Sequence, residues 1–415
     1  MIYWPFLKNW GMKSKYKKIG EHIQLVDVRN KGLKVNQLLG LSISKRFIPS
    51  VANIIGTDME NYKIIRKNQF ACSTMQVRRD KKMPVALLQE VDEAIISQAY
   101  PIFEVKNEKE LLPEYLMMWF TRSEFDREAC FHAVGGVRGS LEWEDFENMQ
   151  LPVPPLSKQV EIVKEYNVIQ NRIALNQQLI QKLEETAKAI YKRWFVEFEF
   201  PFDFAQGKPD ESGLPYKSDG GEMVWCEELE KEIPKGWRLG QLSDIATIIM
   251  GQSPEGESYN EVGEGVPLIN GPVEFGEYFT VKTKWTTEPK KYCKKDDLIF
   301  CVRGSTVGKH VIADGKYAIG RGVCAFSSKN QLHVIQLIKT NLSEILKDVT
   351  GSTFPNIDRI TLEKYPVIIG SKEILLNFEK KQFPINQMIL IKSKETQKLT
   401  ELKNLLLSKL ATIES

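Results

Sequence analysis

Apolar side chains recur through the middle of the chain in alternating steps of four and three: Ile162, Tyr166, Ile169, Ile173, Asn176, Ile180, Leu183, Ala187, Ile190 and Trp194. This is a heptad seam. It is interrupted only at Asn176, the kind of polar core residue that fixes register in coiled coils. With Ser157 at the N-cap, the pattern predicts a helix on the order of 50 Å long at about 1.5 Å per residue. Such a helix needs a partner to cover its stripe. Near the other end of the chain, after Ser371, the run EILLNFEKKQF ends at Pro384, a residue that breaks a helix interior but suits the first turn of a new helix. From there Ile385, Met388, Leu399, Leu402 and Leu406 continue at heptad-compatible spacing, with polar Lys392 and Glu395 on the seam. The two long helices are expected to pack against each other, antiparallel if the chain folds back as a pseudo-two-fold repeat.

The lead-in to these helices is spelled twice. LPVPPLSKQVEIV (151–163) and YPVIIGSKEILLN (365–377) share Pro-Val, three residues and Ser-Lys at an offset of 214 positions. QKLEETAKAIYKRWF aligns with QKLTELKNLLLSKLA only after a two-residue shift. The segments upstream echo each other too: RKNQFA (66–71) and KKDDLI (294–299) are each a basic turn running into an apolar strand, followed by strand-like runs at 94–105 and 317–327. Short strands, Gly-rich turns such as GQSPEGESYNEVGEG and a few helices predict an α+β globule in each half. FPFDFAQGKPDESGLPYKSDGGEM is dense in Pro, Gly and turn formers and reads as a connector. The predicted fold class is therefore α+β with a duplicated unit: a globule over 1–153, a long helix over 154–200, a connector over 201–233, a second globule over 234–368 and a second helical region over 369–415.

A chain of 415 residues, 42% hydrophobic and 27% charged, has the composition of a soluble globular protein with two or three domains. No apolar run approaches 18 residues, and MIYWPFLKNWGMKSKYKK lacks the layout of a signal peptide. The expectation is a cytoplasmic protein without a membrane partner. Cys72, Cys130, Cys226, Cys293, Cys301 and Cys324 form no CxxC pair, which fits buried free thiols in a reducing compartment. The formal net charge of +3 does not announce a nucleic-acid partner. Its distribution is more informative: Lys63, Arg66, Lys67, Arg78, Arg79, Lys81 and Lys82 crowd one stretch, while 104–147 is rich in carboxylates.

A search for chemistry finds no catalytic constellation. GSTVGKH (304–310) has three residues between its glycines and a His after the Lys, where a phosphate loop needs four and a Ser or Thr. VPPL at Val153 is not the Asn/Asp-Pro-Pro-aromatic signature of an adenine methyltransferase, and His22, His132, His310 and His333 have no ligand spacing. This favours a binding subunit. Reading duplex DNA requires Lys and Arg for the backbone and Arg, Lys, Asn or Gln for base edges. Candidates beside turns are Lys45, Arg46, Arg66, Lys67, Gln76, Arg78, Arg79, Lys81 and Arg138 in the first globule; in the second they are Gln252, Ser253, Tyr259, Asn260, Asn270, Lys282, Lys284, Arg303, Lys309 and Arg321. Two similar globules joined by rigid helices suit double-stranded DNA with two different half-sites about one turn apart, with the helix pair as a ruler. A non-catalytic coiled-coil scaffold binding protein partners fits the helices as well and the basic turns less well. A stand-alone enzyme would need Cys301 with His310, or Cys72 with a distant His, as a thiol pair.

Taken in this order, the elements resemble one family, the specificity subunit of type I restriction-modification systems, over nearly the whole chain. LPVPPLSKQ is similar to the family's I-x-(I/L)-P-x-P-P-x-x-E-Q lead into the first conserved helix, with Lys158-Gln159 in place of Glu-Gln. ETAKAIYKRWFVEFEFPF, GLPYKSDGGEMVW and then EIPKGWRLGQLSDIATIIMGQSPEGESYN resemble the helix end, the connector and the start of a second target recognition domain. The first domain opens with YKKIGEHIQLVDVRN, without Pro-x-Gly-Trp, and the second helix lead-in lacks paired prolines. The resemblance implies two target recognition domains that each read half of a bipartite DNA sequence, and two helical regions that set the spacer and dock two methyltransferase subunits. It also implies restriction subunits in the full complex. S-adenosylmethionine, ATP and Mg belong to those partners, with no cofactor on this chain. Recognition domains vary, so no base-contacting residue carries over.

Overall fold

In the computed structural model, which describes residues 16–50, 57–133, 139–348 and 355–412, the two long helices are Leu156–Tyr191 and Lys372–Lys409. The first continues into a π turn, Lys192–Val196, that buries Trp194 and Phe195. All ten seam positions of the first helix are buried or half-buried, whereas Glu161, Asn171, Gln178 and Lys188 face solvent. In the second helix the inward stripe is Phe378, Gln382, Ile385, Ile389, Lys392, Thr396, Leu399, Lys403, Leu406 and Leu410. Met388 and Leu402 lie instead on the outer face, 41% and 51% exposed. Leucines crowd this region at 399, 402, 405, 406 and 407, so apolarity alone does not pick the stripe. The long stem of Lys403 takes the inner place, and burial pushes its ammonium pKa below the usual value.

Pro384 does not start a new helix. It lies inside the second one, because both it and Lys380, whose carbonyl loses its partner, are on the exposed face, where water replaces the missing bond. The seams correspond at an offset of 216 residues, Ile162 with Phe378 and Asn176 with Lys392, as do the helix starts at Leu156 and Lys372. The Pro-Val motif offset of 214 is thus two residues out of structural phase. Pro155 and Ser371 hold the capping place, and Ser157 sits within the first turn. The Pro155 carbonyl accepts the Gln159 N–H, and Ser371 Oγ accepts the Ile374 N–H at 3.3 Å.

The chain divides into two units, Met1–Ile173 with Lys398–Ser415, and Ala174–Gln397. The division falls inside both helices rather than at their ends, because each unit's core absorbs its own share of the stripes. In the first unit Ile162 and Tyr166 share a core with Leu407 and Leu410, and Tyr16 donates its hydroxyl to the Ala411 carbonyl at 2.7 Å. Gln159, fully buried, fastens the start of the helix by donating to the carbonyls of Glu110 and Pro154 and accepting the Leu112 N–H. In the second unit Ile180 shares a core with Phe378 and Ile389, and Gln382 donates to the Ala187 carbonyl at 2.9 Å. Early turns of one helix therefore meet late turns of the other, an antiparallel pairing.

Each unit is built on the same four-stranded antiparallel sheet. In the first the strand order is Ile23–Val26, Ile102–Val105, Phe70–Cys72, Val85–Leu87; in the second it is Thr247–Met250, Val323–Ser327, Leu298–Cys301, His310–Ile312. In both, the strand just before the long helix (Gln150–Pro152, Pro366–Ile369) pairs with a strand at the start of the unit (Tyr16–Lys18, Arg238–Gln241). Stacked and edge-on rings of Phe70, Phe103, Phe120 and Phe146 fill the first core. The connector is itself folded, with strands Pro201–Asp203, Lys208–Pro209 and Leu214–Pro215. Phe200 stacks between Tyr216 and Trp237 there, at 4.6 and 5.3 Å between ring centroids.

Candidate nucleic-acid interface

One end of each sheet gathers the exposed cations. In the first unit the hairpin between Phe70–Cys72 and Val85–Leu87 is closed by Ser73 donating to the Pro84 carbonyl, and its loop carries Gln76, Arg78, Arg79, Lys81 and Lys82. Gln76 and Lys81 adopt left-handed backbone at φ 64° and 52°, bracketing the short helix Val77–Asp80 and turning all four cations outward. Among the described residues, Arg79 is the one of these four cations with an ion pair, to Asp80 at 2.6 Å. The loop also lies along residues 139–141, through Arg78 N–H to the Gly139 carbonyl and Leu141 N–H to the Thr74 carbonyl. Arg138, the next candidate in sequence, lies outside the described residues.

The topologically equivalent hairpin of the second unit, between Leu298–Cys301 and His310–Ile312, carries exposed Arg303 and Lys309. Three further loops meet it. Val302 donates to the Gly322 carbonyl, Gln252 to the Ile319 carbonyl, Gly320 to the Ile269 carbonyl, and Arg321 N–H to Ser253 Oγ at 3.2 Å. The approach is so close that a Cβ on Gly251, Gly320 or Gly322 would fall 2.1 to 2.3 Å from the Gly320 carbonyl, Asn270 Oδ1 or the Asn270 carbonyl. Glu274, 2% exposed, accepts the N–H groups of Asn270 and Gly271 and sets that loop. Sequence reading passed over Glu274; its signal was a carboxylate four residues after Asn270 in a Gly-Pro turn. Lys282 joins the group, since Lys284 pairs backbone with Leu268 and Val281 with Glu274.

Other candidates lie elsewhere. Arg66 and Lys67 sit at the opposite end of the strand Phe70–Cys72 from the basic hairpin. Arg46 is exposed beside Lys403. Lys45 is buried: its ammonium pairs with Asp126 at 2.8 Å and donates to the Phe120 carbonyl. Burial lowers its pKa and Asp126 opposes the shift, so this charge holds the hairpin Leu39–Leu41/Phe47–Pro49 to the core. Asn260 is spent in its own turn, donating to the Glu264 carbonyl and accepting from Gly263 and Glu264. Tyr259 donates to the Pro254 carbonyl, with Lys284 6.0 Å over its ring.

The two candidate thiols, Cys301 and Cys72, are buried and poorly suited to nucleophilic work. Burial pushes Cys301 up to about 11 and raises Cys72 further, the reverse of an activated thiolate. His310 pairs across the sheet with Phe300, so the adjacent Cys301 points to the other face. Among the described residues no group of three His, Cys, Asp or Glu side chains could hold a metal, and no helix is long and apolar enough to cross a membrane. What the arrangement offers is a rigid sheet end bearing cations and amides, which suits phosphate neutralisation and base-edge hydrogen bonding.

A family model described as type I restriction modification DNA specificity domain matches residues 52–185 and 234–404. The putative type I restriction enzyme MjaX specificity subunit of Methanocaldococcus jannaschii is 27% identical over 304 residues, 72% of this chain and 66% of that protein. The type I restriction enzyme HindI specificity subunit of Haemophilus influenzae is 23% identical over 414 residues, 87% of this chain and 89% of that one. The crystal structure of a type I restriction-modification system S subunit from M. genitalium shares the fold, with a TM-score of 0.59 at 16% identity over 99% of both chains.

Proposed function

Because the chain belongs to the type I restriction modification DNA specificity domain family, we propose that it is the DNA sequence-recognition subunit of a type I restriction-modification complex, each unit reading one half of a bipartite, gapped site. The observation that carries this reading is the duplicated sheet end: the same hairpin bears Arg78, Arg79, Lys81 and Lys82 in one unit and Arg303 and Lys309 in the other. The frameworks are alike and the loops are not, so the two half-sites differ. The helix pair sets the spacer between them.

The outer faces of the helices supply docking surfaces for two methyltransferase subunits. Val160, Val168 and Leu175 on the first helix and Leu376, Phe383 and Ile391 on the second are all more than half exposed. Val160 and Leu376, and Leu175 and Ile391, are equivalent at the same offset as the seams, so two related faces receive two copies of one partner. Apolar stripes of this kind on a soluble protein mark protein contacts. The chemistry belongs to those partners: S-adenosylmethionine on the methyltransferase, ATP and Mg on the restriction subunits. Work in the cytoplasm on cellular DNA accords with this role.

The test is methylome sequencing of a methylation-free host that carries this chain with its neighbouring methyltransferase gene. A bipartite, gapped adenine-methylation motif is expected. A purified complex that yields no motif would leave a protein-binding scaffold as the reading.

A further inference from the structure

We propose that the turn leading into the inner strand of each sheet, Ile102–Val105 or Val323–Ser327, carries the base-reading side chain of its unit, Arg321 for a guanine in the second unit and Gln98 for an adenine in the first. The inference rests on the DNA-recognition reading above and adds to it which atoms read the bases.

The two turns are the same feature of the fold. Residues 97–101 join Glu93–Ile96 to Ile102–Val105, and residues 320–322 join Tyr317–Ile319 to Val323–Ser327. In both, the backbone N–H at the mouth of the basic hairpin is donated to the last residue of the turn, Cys72 to the Pro101 carbonyl at 3.1 Å and Val302 to the Gly322 carbonyl at 3.0 Å. Each turn therefore stands directly beside the loop that bears its unit's exposed cations. That is the division of labour duplex recognition needs, with cations on the phosphates and a fork of donors or acceptors aimed between them.

Within the turns, one side chain is placed to do the reading. In the second unit Gly320 and Gly322 leave no room for a side chain, and the turn is hydrogen-bonded to neighbours on each side, so Arg321 is the only side chain it projects. Arg321 is exposed, and its side chain has no ion pair among the described residues. A guanidinium presented in this way matches O6 and N7 of guanine in two parallel bonds. In the first unit the turn is two residues longer, with Gln98 and Ala99 exposed at its tip. It is held by Tyr100 N–H to the Ser97 carbonyl and by Lys63 Nζ to the Tyr100 carbonyl, both at 3.1 Å. A glutamine amide, donor and acceptor together, matches N6 and N7 of adenine. Different side chains on one scaffold position explain how duplicated units come to read different sequences.

The experiment is methylome sequencing of the methyltransferase complex built with Arg321→Lys, and separately with Gln98→Ala. Arg321→Lys keeps the charge, so a phosphate contact survives it while the planar, pre-organised fork that presents two parallel donors to guanine is replaced by a flexible point charge. The expected result is that one G·C position in one half of the motif becomes degenerate, losing about 5- to 150-fold discrimination; Gln98→Ala relaxes one A·T position in the other half. A variant that methylates nothing is assayed instead for binding to duplexes substituted at single positions, with the same expectation. Motifs retained letter for letter, with only the extent of methylation reduced, would overturn the proposal, as would relaxation of the same half by both variants. Absence of any gapped motif for the unmutated complex would instead count against the recognition reading itself.

Discussion

His333 is buried in the second unit with its ring against Tyr191, Phe195 and Phe378, at 5.6, 4.5 and 6.0 Å between centroids. Both ring nitrogens are buried and, among the described residues, have no hydrogen-bond partner. The cage joins the end of the first long helix, the start of the second and the helix Gln331–Thr340. Desolvation disfavours the imidazolium and pulls the pKa from 6.5 down to about 3. A folded-state pKa below the unfolded value means that, as pH falls through 6.5, the unfolded chain gains a proton that the folded chain refuses. The associated stability is present above pH 6.5 and is lost progressively as pH falls toward the folded-state pKa. At pH 5, some 1.5 units below the unfolded pKa and at about 1.4 kcal/mol per unit, the loss is about 2 kcal/mol. Glu379, which accepts the His333 and Leu332 N–H groups at 2.8 and 3.2 Å, has its pKa raised by burial. It therefore acts in the opposite sense, but equally in both proteins if only His333 is changed. The perturbation is His333→Phe, which keeps a ring in the cage and removes the titration. Urea unfolding of the full chain at pH 7.5 and pH 5 should show the variant losing about 2 kcal/mol less than the parent over that interval. Parallel pH dependence in the two proteins would refute the reasoning.

Lys45→Met should destabilise the first unit by about 3–5 kcal/mol, because Asp126 is left charged in the interior; adding Asp126→Asn, which keeps an acceptor for the Met83 N–H, should recover most of it in urea melts. Asn176→Leu removes a buried amide Nδ2 that has no partner among the described residues and should stabilise the protein by about 1–3 kcal/mol, while the methylation motif loses its single spacer length; an unchanged spacer would show that Asn176 does not fix register. Inserting seven residues into both long helices at equivalent seam positions keeps the stripes in phase and adds about 10 Å. The gap should then lengthen by about three base pairs with both half-sites intact, and altered half-sites in the methylome would refute the ruler. Neutralising Arg303 and Lys309 together should weaken binding to all sequences alike and flatten the slope of log affinity against log salt by about two, as read by fluorescence anisotropy across a salt series.

The long helices and the duplication were legible in the sequence because their signals are periodic. A heptad of apolar residues imposes one inward face wherever the helix lies, and all ten seam positions of the first helix face inward. In the second helix the same reasoning reached Leu399 and Leu406 but took Leu402 for the seam, where packing chose Lys403. A lysine stem covers apolar surface as well as a leucine does once its charge reaches water. The repeat offset shows the same limit. Matching letters favoured 214, but strand pairing and the capping positions put the equivalence at 216, because hydrogen-bond geometry, not residue identity, decides which positions are equivalent.

The candidate interface divides in the same way. Composition pointed to basic turns, and side-chain chemistry identified Arg321, Arg303 and the 76–82 loop as candidates. The sequence by itself could not separate Lys45, whose charge is spent inside the core, from Lys81, whose charge faces solvent, since both are lysines in left-handed turn positions. Nor could it indicate that residues 252, 270, 303 and 321, far apart along the chain, meet at one sheet end. What the sequence determined is the set of local preferences: helix stripes, strand runs and turn formers, each fixed by neighbouring residues. What the tertiary structure alone decided is which loops share a sheet end and which charges remain in water, because those depend on contacts between residues that the chain keeps far apart.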